Sequence, residues 1–268
     1  GEAGARALAD LDEKVGALPD AAAMRATFAS ERSQQLLLGV FSSSAFLSEL
    51  ARREPVSLYR SLIDDPEARM VAVLAGITAA GADAASLADL MRVLRRAKAE
   101  IALLIGLADL AGVWPVMRVT QALSDTADAA VASTVRFLFR QAAAKGDWLS
   151  DPGADAAHSS GYFVLAMGKH GAGELNFSSD IDPILLYDPA ILPRRERDEP
   201  GEATQRVART LMQTMSHVDA EGYVFRVDLR LRPASEVSPL AIPIEAALTH
   251  YESSALAWER AAFIRARA

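Results

Sequence analysis

Asp180 and Asp182 stand two residues apart in Asp180-Ile181-Asp182-Pro183-Ile184-Leu185-Leu186-Tyr187-Asp188. On an extended chain, alternate side chains leave the same face, so both carboxylates project together. Asp228 lies among arginines in Tyr223-Val224-Phe225-Arg226-Val227-Asp228-Leu229-Arg230-Leu231-Arg232. If the two segments are neighbouring strands, three carboxylates converge. At an effective dielectric near 20, two unit charges 4 Å apart repel by about 4 kcal/mol, so such a cluster calls for protons or cations. Hard oxygen donors suit Mg²⁺ or Mn²⁺, which bind through few carboxylates plus substrate phosphates. Two such ions roughly 3.5–4 Å apart clamp the attacking and leaving oxygens of an in-line phosphoryl or nucleotidyl transfer.

A glycine turn fits the same chemistry. Gly168-Lys169-His170-Gly171-Ala172-Gly173 follows the apolar run Tyr162–Met167 directly. Gly168 lets backbone N–H groups approach an anion, Lys169 can meet a phosphate oxygen, and Ser178 or Ser179 can donate beside a metal. The stretch is not a Walker A loop, because no Gly-Lys-Ser/Thr ends it. Blander readings stand beside these: a plain turn, an ordinary Asp-x-Asp pair, and Asp228 salt-bridged to Arg226 and Arg230. His158, His170, His217 and His250 show no ligand spacing and are read as incidental. It is the combination in order that favours the functional reading.

The elements that must position these groups are legible from the period of the pattern. Tyr162–Met167 and Asp180–Asp188 read as strands, with Glu174–Ser179 between them as about a turn and a half of helix. Val207, Leu211, Met215 and Val218 give Thr204–Val218 helical spacing. Tyr223, Phe225, Val227, Leu229 and Leu231 alternate with Arg226, Asp228, Arg230 and Arg232, which predicts a third strand. Strand, turn, strand, helix, strand makes residues 156–268 an α+β domain with a small mixed sheet. Residues 1–155 read as a helical domain instead. Asp65-Pro66-Glu67 and Ser86-Leu87-Ala88-Asp89 are helix starts, and Leu87, Leu90, Met91, Leu94, Ile101, Leu104, Ile105 and Ala108 recur at helical spacing. Ser124-Asp125 is expected to open another long helix carrying Val131, Val135, Leu138 and Phe139. Arg92, Arg95, Arg96 and Lys98 are expected on a solvated face, with a site for phosphate or an acidic partner as the alternative. Gly146–Ala157 reads as the linker.

Composition bounds the rest. A chain of 268 residues with 51% apolar content can bury a sizeable core. Its 28 basic against 35 acidic residues, net −7, argue against nucleic acid as partner. There is no cysteine, which excludes disulfides, thiolate metal sites and cysteine nucleophiles. The most apolar stretch, Ile101–Met117, contains Asp109 and Pro115 and falls short of the roughly 20 apolar residues a membrane span needs. No signal-peptide pattern opens the chain, and its first residue is Gly1, as in an excised fragment.

The segment from Gly161 to Asp188, GYFVLAMGKHGAGELNFSSDIDPILLYD, resembles the catalytic core of the glutamine synthetase adenylyltransferases, bifunctional enzymes of the nucleotidyltransferase superfamily. Tyr223–Leu240 is similar to that family's second signature. His250-Tyr251 and the stretch from Ala257-Trp258-Glu259-Arg260 to Arg267 are similar to the segment that follows it. Weaker similarity reaches Ser43–Tyr59 and Leu94–Ala111. The resemblance implies a nucleotidyltransferase-type domain, of which the family's full chain carries two. The amino-terminal one removes AMP from a glutamine synthetase tyrosine by phosphorolysis, releasing ADP; the carboxy-terminal one attaches AMP from ATP. Leu175-Asn176 before Ser178-Ser179-Asp180 looks more like the amino-terminal version.

The resemblance further implies that Asp180, Asp182 and Asp228 are the catalytic carboxylates and hold Mg²⁺ or Mn²⁺. It places Gly168, Lys169, Ser178, Ser179 and Arg230 on phosphate or nucleotide. Implied partners are glutamine synthetase, inorganic phosphate, ADP or ATP, and the PII regulatory protein, in the cytoplasm. The alternatives are the forward adenylyltransferase using ATP and a non-catalytic nucleotide-binding regulatory module. The sequence departs from the family pattern at His170 and Ala172, where Leu and Gly are usual, and at Ala234–Leu240, which lacks the usual glycines. Pro183 stands where an aliphatic residue is usual and removes a ladder donor, which suits an edge or bulged position. Arg265–Ala268 is expected to lie within a helix.

Overall fold

A computed structural model describes residues 2–146, 148–149, 160–193 and 199–268 of the chain. Eight helices come first among the described residues: α1 Glu2–Val15, α2 Ala21–Ala29, α3 Glu31–Ser43, α4 Ala45–Arg53, α5 Pro55–Ile63, α6 Pro66–Asp83, α7 Leu87–Leu110 and α8 Val116–Ala144. Their starts follow the chemistry of orphan N–H groups. Side chains of Ser30, Ser44, Asp65 and Ser86 accept from the backbone three residues on, Asp65 Oδ1 from Ala68 N at 2.8 Å. Prolines open α5 and α6, where a missing donor costs nothing.

Contacts divide the chain into two compact units: residues 1–75 with 96–122, and residues 76–95 with 123–268. This division does not coincide with the compositional one at 155/156, because α6, α7 and α8 contribute residues to both units. The proposed linker residues 150–157, and His158, lie outside the described residues. The first unit is all helix. Ala7, Leu11 and Val15 line α1 at a spacing of four and bury against Leu37, Val40, Phe41, Leu50, Leu58 and Leu103.

The second unit contains the sheet, so the chain is α+β. Here β1 Tyr162–Met167 pairs antiparallel with β2 Asp182–Tyr187, from Tyr162↔Tyr187 to Met167↔Asp182. Between them lies a short helical turn, α9 Gly168–Gly171. After α10 Pro200–Ser216 comes β3 Ala241–Pro243, parallel to β2, which is therefore the central strand. Short helices α11 Ile244–Thr249 and α12 Ala257–Ala262 follow. Met167, Ile184, Leu186, Ile242 and Ala247 form the core beneath the sheet. Among the described residues, no helix is long and apolar enough to cross a membrane.

Several expectations are corrected. Tyr223–Arg232 is not a full third strand: Val227 makes one isolated parallel bridge to Ile181, and β3 takes the place in the sheet. The reason is local. Val224 N and Phe225 N both donate to Met215 O at the end of α10, and the Asp228 carboxylate accepts from Arg230 N at 2.9 Å, bending the chain after one extended step. Gln205 of α10 instead fixes β3, donating to Ala241 O at 2.7 Å and accepting from Leu240 N at 2.9 Å.

Glu174–Ser179 is a loop rather than helix, because the Asn176 side chain accepts from Ser178 N and from Ser179 Oγ. α8 begins at Val116, after Pro115, so Ser124 sits within it, and α10 ends before Val218, which is 66% exposed. Pro183 lies on the central strand and not at an edge or bulge. Ala166 exchanges both its backbone bonds with Arg267, so the Ala166↔Pro183 pair is the non-bonded kind, and the proline nitrogen faces the gap between the Val227 bridge and the start of β3. Arg265–Ala268 is not α-helical: a short 3₁₀ turn ends at Arg265, and Arg267 is extended against Ala166. Nor is the Arg92–Lys98 cluster a uniformly solvated face. Arg95 is buried, pairs with Asp219 and donates to His217 O, while burial pushes the Lys98 ammonium down to about 8.

That last extended pairing leaves no room beside Gly171, where a Cβ would stand 1.9 Å from Arg265 O and 2.3 Å from Ala166 O, both backbone atoms. Gly171→Ala is expected to destabilise the chain by about 2–3 kcal/mol, lowering the melting temperature by roughly 6–10 °C in a circular dichroism melt.

Candidate active site

Two backbone hydrogen bonds bring the carboxylates together. Ile181 N donates to Arg226 O at 3.0 Å and Asp228 N donates to Ile181 O at 2.9 Å, setting Ile181 opposite Val227 in a parallel bridge. Ile181 is fully buried, so its neighbours on either side project to the other face. One step beyond the bridge, Asp182 lies beside Asp228. One step before it, Asp180 lies beside Arg226, whose Nε donates to Asp180 Oδ1 at 2.5 Å. By alternation about this bridge, the three carboxylates leave one face of the two segments.

Their charges act on one another. Burial, then the Asp228 and Asp180 carboxylates, push Asp182 above the usual carboxylate range, against opposing pulls from His170 and Lys169. Asp228 goes the other way: hydrogen bonds from Arg230 hold it below that range. Arg230 Nε donates to Oδ1 at 3.0 Å and to Oδ2 at 2.7 Å, and its Nη2 donates to Oδ2 as well. Asp180 turns to Arg226 and Asp228 to Arg230. As they stand, no three acidic or imidazole groups among the described residues are gathered closely enough to hold one ion together.

The glycine turn closes over the same face. Gly168 has φ of +56°, and a Cβ there would come within 2.8 Å of Asp182 Oδ2. Lys169 is exposed on the turn, and its charge reaches Asp182. Ser179 Oγ is engaged with Asn176, at 2.8 Å from Oδ1, and the Ser178 carbonyl accepts from Arg226 Nη2. Arg232 is a structural residue, donating to the carbonyls of Leu229 and Ser235.

Sequence reasoning missed what anchors the turn. His170, read as incidental, is buried, and its Nε2 lies 2.8 Å from Asp128 Oδ1 of α8. Arg267 grips Asp128 with both terminal nitrogens, at 2.7 and 3.1 Å, and Nη2 also donates to His170 O at 3.3 Å. Burial works to raise the Asp128 carboxyl, but the hydrogen bonds from His170 and Arg267 outweigh it and hold the group below its usual value. Ser124 Oγ, from the same helix, accepts from Leu175 N at 3.2 Å. Asp128 lies on α8, far upstream in sequence, where helical spacing carries no hint of a partner. A cavity of about 580 Å³ along β1 is lined by Asp128, His170 and Arg267, and by none of the three carboxylates.

A glycine turn set against Asp182 at the start of β2, with Asp180 and Asp228 on the adjoining segments, is an α+β arrangement consistent with a nucleotidyltransferase-like domain. The model of the family described as glutamate-ammonia ligase adenylyltransferase (GlnE) matches residues 34–268. The chain belongs to that family. It is 44% identical over 247 residues to a bifunctional glutamine synthetase adenylyltransferase/adenylyl-removing enzyme of Bradyrhizobium sp. strain BTAi1, covering 92% of this chain and 25% of that protein. Enzymes of the same description from Rhodopseudomonas palustris strain BisB5 and Xanthobacter autotrophicus are 48% and 42% identical, over 87% and 88% of this chain and 24% of each relative. The chain thus spans about a quarter of the length of these relatives.

Two stability tests follow from the charges. An acid whose folded pKa is raised costs stability once ionised, so the cost is full above the folded pKa and vanishes below the unfolded one. Asp182→Asn is therefore expected to raise the melting temperature at neutral pH without divalent cations by about 3 °C, on the order of 1 kcal/mol, with the gain fading as pH falls through the carboxylate range. Asp128 is the reverse case. Its contribution is present above its unfolded pKa and is lost as pH falls through the folded value, so Asp128→Asn is expected to cost about 2 kcal/mol at pH 7 and less in acid. Thermal melts across pH 3–8 check both.

Proposed function

We propose that this chain carries an adenylyl-removing nucleotidyltransferase site that deadenylylates glutamine synthetase by phosphorolysis. The observation that carries the reading is the shared face of Asp180, Asp182 and Asp228 with Gly168 pressed against Asp182 Oδ2. Three hard oxygen donors of one sign, two of them already engaged by guanidinium cations, fit Mg²⁺ or Mn²⁺ in donor type and charge. Such an ion, held by Asp180, Asp182 and Asp228, supplies charge neutralisation at the phosphorus that is transferred.

The chain's own groups do the rest. The Gly168 turn lets backbone come close to the phosphates, with Lys169, exposed beside it, as a point charge for their oxygens. Ser178 and Ser179 border the carboxylates from the loop, and Arg230 stands at the outer edge, 87% exposed, in reach of an anionic substrate. In the reaction, an oxygen of hydrogenphosphate attacks the AMP phosphorus, the bond from phosphorus to the tyrosine oxygen breaks, and the phosphate's proton ends on that oxygen. The products are ADP and the unmodified tyrosine side chain of glutamine synthetase.

Support for the removing direction comes from Leu175-Asn176, the family's amino-terminal variant of the motif, while the relatives' descriptions name both activities. Glutamine synthetase, inorganic phosphate and ADP are the partners of this reading, with ATP for the forward direction. PII regulation and a cytoplasmic setting go with the same family role.

Adenylylated glutamine synthetase incubated with this chain, Mg²⁺ and phosphate is expected to release ADP. Asp180→Asn and Asp182→Asn are each expected to reduce release by about 100-fold or more. ADP release that survives both substitutions overturns the assignment, and ATP-dependent labelling of unmodified glutamine synthetase by this chain assigns it the forward direction instead.

A further inference from the structure

Arg226 and Arg230 occupy the very oxygens a metal ion needs. Arg226 donates through Nε to Asp180 Oδ1, through Nη2 to Ser178 O, and through Nη1 to Tyr223 Oη at 3.1 Å. Arg230 Nε reaches both oxygens of Asp228, with Nη2 on Oδ2 and the backbone N–H of the same residue on Oδ1. Asp182 is hydrogen-bonded to neither guanidinium. A carboxylate offers the same lone pairs to guanidinium and to a hard cation, so the two compete directly.

We propose that Arg226 and Arg230 are internal counter-ions which a divalent cation displaces, each guanidinium holding one carboxylate of the trio turned aside until the ion arrives. This inference rests on the metal reading of the site given above. The geometry explains why three carboxylates on one face do not already converge on a common point: two of them are turned to arginines. It also explains how the exchange can be reversible. The Arg230 side chain is 87% exposed and that of Arg226 49%, and ion pairs so open to water are weak and screened by salt. Displaced guanidiniums remain tethered at the rim, where the phosphates of a nucleotide are their natural acceptors. Apparent metal affinity is then set below that of the bare trio, by the strength of two surface pairs.

Isothermal titration of Mn²⁺ into this chain at 0.15 M salt tests the exchange without reference to catalysis. Arg226→Gln and Arg230→Gln are each expected to tighten Mn²⁺ binding by about fivefold, and the double variant by more than tenfold. Arg230→Lys keeps the charge but loses the planar fork, and is expected to tighten binding at least about twofold. Unchanged or weaker binding in the Gln variants overturns the proposal. So does a Lys variant equal to wild type, which would reduce the effect to background charge. Asp182→Asn is the separate control: Mn²⁺ affinity that it leaves unaltered, or no Mn²⁺ binding by any variant, removes the metal reading itself. Circular dichroism melts confirm that each variant is folded.

Discussion

The site depends on a single bridge. Two hydrogen bonds between Ile181 and the Arg226–Asp228 backbone decide which side chains share a face, and the burial of Ile181 decides which face that is. A one-residue slip of this register would turn Asp228 to the opposite face and part it from Asp182. The bridge stands where regular pairing ends. Pro183 leaves the central strand without a donor just beyond it, and Asp228 captures Arg230 N–H just past Val227. The ladder is thus interrupted on both segments beside the acidic groups, which leaves those groups at an opening in the sheet rather than within it.

Charge balance is the second constraint, and it works on the same few residues. Three carboxylates against two guanidiniums leave the patch near neutrality without asking any acid to be fully buried. Asp182, without a guanidinium of its own, is pushed above the usual carboxylate range by burial first and by its two acidic neighbours second. A face built this way holds together in the absence of an ion and still presents one unsatisfied acid at its centre. An evenly paired face, with a third arginine on Asp182, would be more stable and would leave no carboxylate free of a guanidinium.

Much of this was legible in the residues. Alternation placed Asp180 with Asp182, apolar runs marked β1 and β2 to within a residue or two, and capping chemistry located the starts of α6 and α7. What escaped reading was decided by side chains competing for backbone groups. Asn176 turned an expected helix into a loop, Asp228 ended an expected strand, and Gln205 drew Ala241–Pro243 into the sheet from a stretch with little strand character of its own. Spacing rules describe a segment in isolation and cannot register such captures. The Asp128–His170–Arg267 network was hidden for a related reason, since its members lie 42 and 97 residues apart and each is ordinary where it stands.

That network also gives His170 its partners in the turn. An imidazole in a buried position needs a partner, and Asp128 supplies it while Arg267 compensates the buried acid. Because Arg267 also binds the carbonyl of His170, the same ion cluster fixes the backbone of the turn and not merely one side chain. A Cβ at Gly168 would come within 2.8 Å of Asp182 Oδ2, and hydrogen bonds hold orientation where apolar packing holds only volume. The Asp128 contact thereby anchors the Gly168–Gly171 turn to α8.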